Sequence, residues 1–67
     1  MAVKLDGAKV RDARLNAGLT INALSAQMGV TRFTVSRTER GLTAMGEENA
    51  RRMAELLGVS LRSLREV

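Results

Sequence analysis

Apolar and polar positions along the chain recur at helical spacing in short runs separated by glycines. Val10, Ala13 and Ala17 share one face of a first helix that Asp6 can cap and Gly18 ends. Thr20 opens a second, Ile21–Met28, with Leu24 and Met28 turned inward. Gly29 breaks the chain and Val30 follows as an apolar plug. Thr31 then caps a third helix of about 32–40, closed by Gly41. A loop at 42–45 leads to Gly46 and a fourth helix, with Glu47 and Glu48 in the first turn, where negative charge suits the helix dipole. Ala50, Met53, Ala54 and Leu57 fall at i, i+3, i+4 and i+7, a core stripe that Gly58 ends. Ser60 starts a last short helix carrying Leu61 and Leu64. Strand-like runs and proline are absent, so the pattern predicts an all-α chain of five helices in one compact domain, 1–67.

The junction at Gly29 carries the most information. A glycine there permits a positive φ, so two short helices can cross steeply. Leu24 and Met28 before it, with Val30 and Val35 after it, present apolar groups to one wedge. This is a helix-turn-helix pattern over about 20–40, and it holds the third helix out from the body. On a wheel of roughly 100° per residue, with Val35 at zero, Thr31 and Thr38 fall on the buried side. Phe33, Ser36, Arg37 and Arg40 fall roughly 100° to 200° away, on the outward face, with Arg32 at its edge. Phe33, the chain's one aromatic residue, is therefore expected to face outward. The alternative is that its ring tucks against the second helix.

Composition narrows the function classes. Eleven Lys and Arg against seven Asp and Glu give a net charge of +4, a modest pointer to a polyanionic partner. Cysteine and histidine are both absent, which removes disulfides, thiol nucleophiles and the usual zinc sites, and fits a reducing cytoplasm. With scattered carboxylates and no glycine-rich phosphate loop, no catalytic constellation assembles. No enzyme activity, metal, cofactor or small-molecule ligand is expected. No apolar run reaches membrane-spanning length and no signal-peptide core is visible, so no membrane association is expected either.

From Val10 to Leu64 the chain resembles the Cro and phage-repressor type of helix-turn-helix domain, the lambda-repressor-like fold of the XRE family. The residues that carry the resemblance are GLT at 18–20, Leu24, GVT at 29–31, ERG at 39–41 and MAELLGVSL at 53–61. It implies that the start and outer face of the third helix enter the major groove, here Arg32, Phe33, Ser36 and Arg37. An arginine can donate twice to guanine, and Phe33 can meet a thymine methyl. Thr20, Thr31, Arg40 and Thr43 match positions that touch phosphates, some through main-chain N–H groups at helix starts. Where the family commonly has glutamine at the start of the second helix this chain has Ile21, so that contact is lost or passes to Asn22. Arg14 and Glu39 match a partly buried pair that joins the first and third helices. Thr38 stands where an Ile or Leu commonly plugs the core. Ser25 replaces a common alanine, its hydroxyl able to bond back along the helix.

The resemblance implies sequence-specific binding of double-stranded DNA by a small transcriptional regulator, a Cro-like repressor in a prokaryotic or phage-infected cell. Reading a palindromic operator takes two copies, so a homodimer is expected at least on DNA, with half-sites roughly 34 Å apart. Leu61, Leu64 and Val67 either close the core or form that dimer contact. The other reading is a protein-interaction module or antitoxin, with Leu42, Met45 and the outward Phe33 as the contact patch.

Overall fold

The computed structural model describes residues 1–66. It contains helices α1 (Gly7–Asn16), α2 (Ile21–Met28), α3 (Arg32–Glu39), α4 (Glu47–Leu57) and α5 (Leu61–Leu64). Two strands, β1 (Ala2–Val3) and β2 (Met45–Gly46), pair antiparallel, with Ala2 opposite Gly46 and Val3 opposite Met45. The five helices match the sequence expectation. The small sheet adds to it, since two-residue strands leave no periodicity to detect.

Side-chain caps start three helices. Asp6 accepts from the amides of Ala8 and Lys9, Thr20 from Ala23, and Ser60 from Ser63. Thr31 holds the corresponding place before α3, but its hydroxyl lies 3.3 Å from that of Thr34 and caps no backbone N–H. Thr31 is also exposed, not on the buried side. Its φ of −75° and ψ of 155° place it outside the helix, where the wheel no longer applies. Ala17 is exposed as well, although as the C-cap of α1 it keeps helical dihedrals (φ −80°, ψ −3°) and bonds to the Ala13 carbonyl; the buried residues of α1 are Val10 and Arg14. Gly29 takes φ 71° and ψ 28°, the left-handed conformation that turns α2 into α3.

The core gathers Val10, Leu24, Met28, Val35, Ala50, Met53, Ala54 and Leu57 from four helices. Val3 and Leu5 join it from the N-terminal segment, which the helix pattern leaves unassigned. Backbone bonds from Asp6 N–H to the Leu64 carbonyl (2.8 Å) and from Glu66 N–H to the Lys4 carbonyl (3.2 Å) tie that segment to α5.

One expectation on an apolar residue is corrected here, and one open alternative is narrowed. Met45 is only 3% exposed, because pairing with Val3 turns it into the core, while Leu42 stays 63% exposed. Leu64 is buried in the core, so it is closure and not a dimer contact. Leu61 is half-buried against the same cluster, and Val67 lies outside the described residues. Among the described residues, no helix is long and apolar enough to cross a membrane.

Candidate nucleic-acid interface

α3 is fastened along one side. Val35 and Thr38 are both buried, and the Thr38 hydroxyl donates to the Thr34 carbonyl at 2.9 Å. That bond is what lets a polar residue occupy an Ile or Leu position without stranding its hydroxyl. Ser25 on α2 does the same, donating to the Ile21 carbonyl at 2.7 Å.

Glu39 at the last turn of α3 meets Arg14 of α1. Arg14 Nε donates to Oε2 at 2.5 Å and Nη2 to Oε1 at 3.1 Å, a fork that satisfies both carboxylate oxygens. Nη1 donates to the Leu19 carbonyl at 2.8 Å, fixing the turn before α2 as well. Both side chains are buried. The Arg14 guanidinium is held above its ordinary pKa, chiefly by the Glu39 hydrogen bond and further by that carboxylate's charge, against burial, which lowers it.

The opposite side of α3 is open. Arg32, Phe33, Arg37 and Arg40 are exposed, and Ser36 is half-buried. Phe33 is 55% exposed, with the Arg32 guanidinium carbon 5.2 Å from the ring centroid. Such a cation over a ring face is favourable, and it still leaves about half of the residue in water. Ile21 and Asn22 at the start of α2 line one groove with Arg32, Phe33 and Ser36. Phe33 thus faces outward and also lies beside α2. Asn22 comes together with the base-reading candidates, and Ile21 supplies the groove with an apolar wall in place of a polar group.

The remaining candidates are more scattered. Thr20 is exposed, its hydroxyl already accepting from Ala23 N–H at 3.0 Å. Arg40 follows the last turn of α3 as its C-cap. Thr43 is half-buried in the next loop, its hydroxyl donating to the Ala44 carbonyl at 3.1 Å, apart from the groove.

Two residues at this end of α3 carry no signal in the sequence. Lys4 Nζ donates to the Gly41 carbonyl at 3.2 Å, and Gly7 lies against the carbonyls of Thr38 and Glu39. Both are distant in the chain, and neither stands in a pattern that would single it out.

The electrostatics follow. Glu39 is the one acidic residue of α3, and Arg14 neutralises it. The outward face therefore offers Arg32, Arg37 and Arg40 with no carboxylate of its own helix competing for them. On α4, by contrast, Arg51 and Glu47 pair four residues apart at 3.3 Å on an exposed face.

A family model described as helix-turn-helix matches residues 10–64. A provisionally named HTH-type transcriptional regulatory protein of Methanococcoides burtonii is 30% identical over 59 residues, 88% of this chain and 18% of that protein. The chain spans less than a fifth of the curated relatives it matches, 18% and 16% of their lengths. Among solved structures, the restriction-modification controller protein C.AhdI from Aeromonas hydrophila superposes with a TM-score of 0.78 at 28% identity. That match covers 85% of this chain and 86% of that one. Hydroxypropylphosphonic acid epoxidase from S. wedmorenis gives 0.81 at 26% identity, over 90% of this chain and 32% of the enzyme.

Proposed function

The chain belongs to the helix-turn-helix family, and on that footing we propose that it binds double-stranded DNA sequence-specifically, with α3 in the major groove. The observation that carries this reading is the division of α3: one side locked by Val35, Thr38 and Glu39, the other presenting arginines, a serine and Phe33. Arg32 and Arg37 reach guanine edges, Ser36 a base or phosphate, and Phe33 a thymine methyl. Asn22, Thr20, Thr31 and Arg40 anchor the backbone, the Thr20 hydroxyl still able to donate while it accepts from Ala23 N–H, and Thr43 offers a weaker contact because its hydroxyl already donates to the Ala44 carbonyl.

The domain acts as a Cro-like repressor, by occupying an operator. Two copies sit on half-sites roughly 34 Å apart. With Leu64 taken by the core, Leu61 is the described α5 residue left for the contact between copies. The interaction-module reading loses Met45 to the core, which leaves Leu42 and Phe33 at opposite ends of α3.

Selection from a randomised duplex library, followed by titration of the selected and scrambled duplexes at several salt concentrations, tests the proposal. The selected duplex should bind tighter, with affinity falling as salt rises. Arg37→Ala should relax sequence preference, whereas Arg40→Ala should weaken all duplexes alike and lower the salt slope by about 1. Equal affinity for both duplexes, or none of the salt dependence, would sink it. Sedimentation with and without the selected duplex reads the stoichiometry.

A further inference from the structure

We propose that the contact of Gly7 and Lys4 with the end of α3 sets the angle at which that helix is presented, making Gly7 a positioning residue for Arg37. The proposal rests on α3 being the DNA-reading helix. A Cβ placed on Gly7 would lie 2.2 Å from the Glu39 carbonyl oxygen and 2.9 Å from that of Thr38. Both are backbone atoms, so no side-chain rotation relieves the overlap. Gly7 lies outside the set of glycines with positive φ, so the position requires glycine for space and not for conformation. The first turn of α1 rests directly on the last turn of α3.

Lys4 donates to Gly41 just beyond that turn, and Arg14 clamps Glu39 within it. The C-terminal end of α3 is therefore held by α1 and the segment before it. The N-terminal end is joined to α2 through Gly29 and Val30. Two elements hold the two ends, and the helix between them is a lever. Opening the Gly7 contact to a tolerable separation needs roughly 1 Å at one end of a helix about 12 Å long, a tilt of about 5°. Arg37, near the opened end, moves by about 0.6 Å, while Arg32 and Phe33, near the pivot, stay. Displacements beyond about 0.5 Å degrade a positioned binding group.

The test compares the whole chain with Gly7→Ala by selection from the randomised duplex library. Arg32→Ala and Arg37→Ala first assign base positions to each arginine. Gly7→Ala should lose roughly tenfold in discrimination at the Arg37 positions, as expected for part of one bidentate contact. It should keep the Arg32 positions and its affinity for scrambled duplex. Leu57→Val, a core change in α4, lowers stability without touching the lever and should select the native motif. A Gly7→Ala motif that is unchanged, or weakened evenly at all positions, overturns the proposal. If the native chain selects no motif, the DNA reading fails by itself. The lever is then read from residual dipolar couplings: a tilt of α3 against α1 supports it, and an unchanged angle overturns it. Should Gly7→Ala not fold, Lys4→Met carries both measurements, with a smaller shift at the same positions expected and native behaviour there overturning it.

Discussion

Removing one member of the Arg14–Glu39 pair should be among the most damaging single changes that leave the apolar core intact. Arg14 is 7% exposed, and its side chain makes three bonds: two to Glu39 and one to the Leu19 carbonyl. Glu39→Leu leaves a buried guanidinium with one of its three bonds. Breaking a buried pair in this way costs about 3–5 kcal/mol, far above the 0–1 typical of an exposed pair. A domain of this size holds roughly 3–10 kcal/mol in all, so the variant is close to unfolding at room temperature. At roughly 4–8 °C per kcal/mol, a loss of 3 kcal/mol lowers Tm by about 12–24 °C. The double variant Arg14→Met with Glu39→Leu has no stranded charge and should recover most of the loss. Urea and thermal unfolding followed by circular dichroism measure all four corners of the cycle. A single-variant cost below about 1 kcal/mol, or a double variant no better than the singles, refutes the reasoning. The arginine of the pair should not sensitise stability to ordinary pH. A folded-state pKa raised above the unfolded value gives stability that is fully present below the unfolded value and lost only as pH rises through the folded one. For an arginine that window lies in strong alkali, so Arg14 contributes a flat term from about pH 5 to pH 10.

Other outcomes follow from single features. Thr38→Val keeps the shape and removes a hydroxyl bonded only within α3, so urea unfolding should show a change within about 0.5 kcal/mol, and a loss above about 2 would mean the hydroxyl holds another element. Gly29→Ala forces a Cβ into the left-handed conformation and should cost about 1–2 kcal/mol in thermal unfolding; no cost would contradict the turn. In the proposed complex, replacing the thymine placed against Phe33 with uracil should remove one methyl contact, worth about 0.8 kcal/mol or roughly fourfold in Kd. The same replacement should be silent in the Phe33→Ala variant.

What the sequence makes legible here is whatever has a period or a breaker. The stripe Ala50, Met53, Ala54, Leu57 and the turn at Gly29 depend on near neighbours, and local spacing therefore reports them. The wheel orders α3 correctly from Arg32 onward and misplaces Thr31, because the helical angle holds only inside the helix. Met45 looks exposed beside Leu42 because its burial depends on Val3, more than forty residues earlier, and a two-residue strand has no signature. Leu64 and Leu61 share one short helix yet differ in burial, a distinction four residues cannot encode. The pairing of Arg14 with Glu39 emerges from the family resemblance, since nothing in either residue's own neighbourhood points to the other. The contact at Gly7 is invisible for a related reason. A glycine required for space looks the same in sequence as one required for a turn, and only the Glu39 carbonyl tells them apart.

The structural match to part of an epoxidase sharpens where function resides. The same five-helix arrangement accounts for 32% of that enzyme's chain, so the fold by itself decides nothing about activity. What distinguishes a DNA-reading use is the composition of the side that α3 leaves open. In this chain Thr38 is buried and bonded within α3, and the Glu39 carboxylate is bonded to Arg14, which removes the helix's only carboxylate from the surface. If Glu39 were free, its charge would oppose phosphate within a turn of Arg37 and Arg40. On the proposed DNA-reading use, the Arg14 clamp would serve recognition as well as stability, holding the helix down and clearing a negative charge from the outward face of α3. Arg14→Met alone frees that carboxylate, and at a temperature low enough for circular dichroism to show the variant folded it should weaken binding to scrambled and selected duplexes alike. Arg14→Met with Glu39→Leu should restore the non-specific component, because the carboxylate is then gone. If the double variant stays as weak as Arg14→Met although it is folded, the charge of Glu39 is not what limits binding.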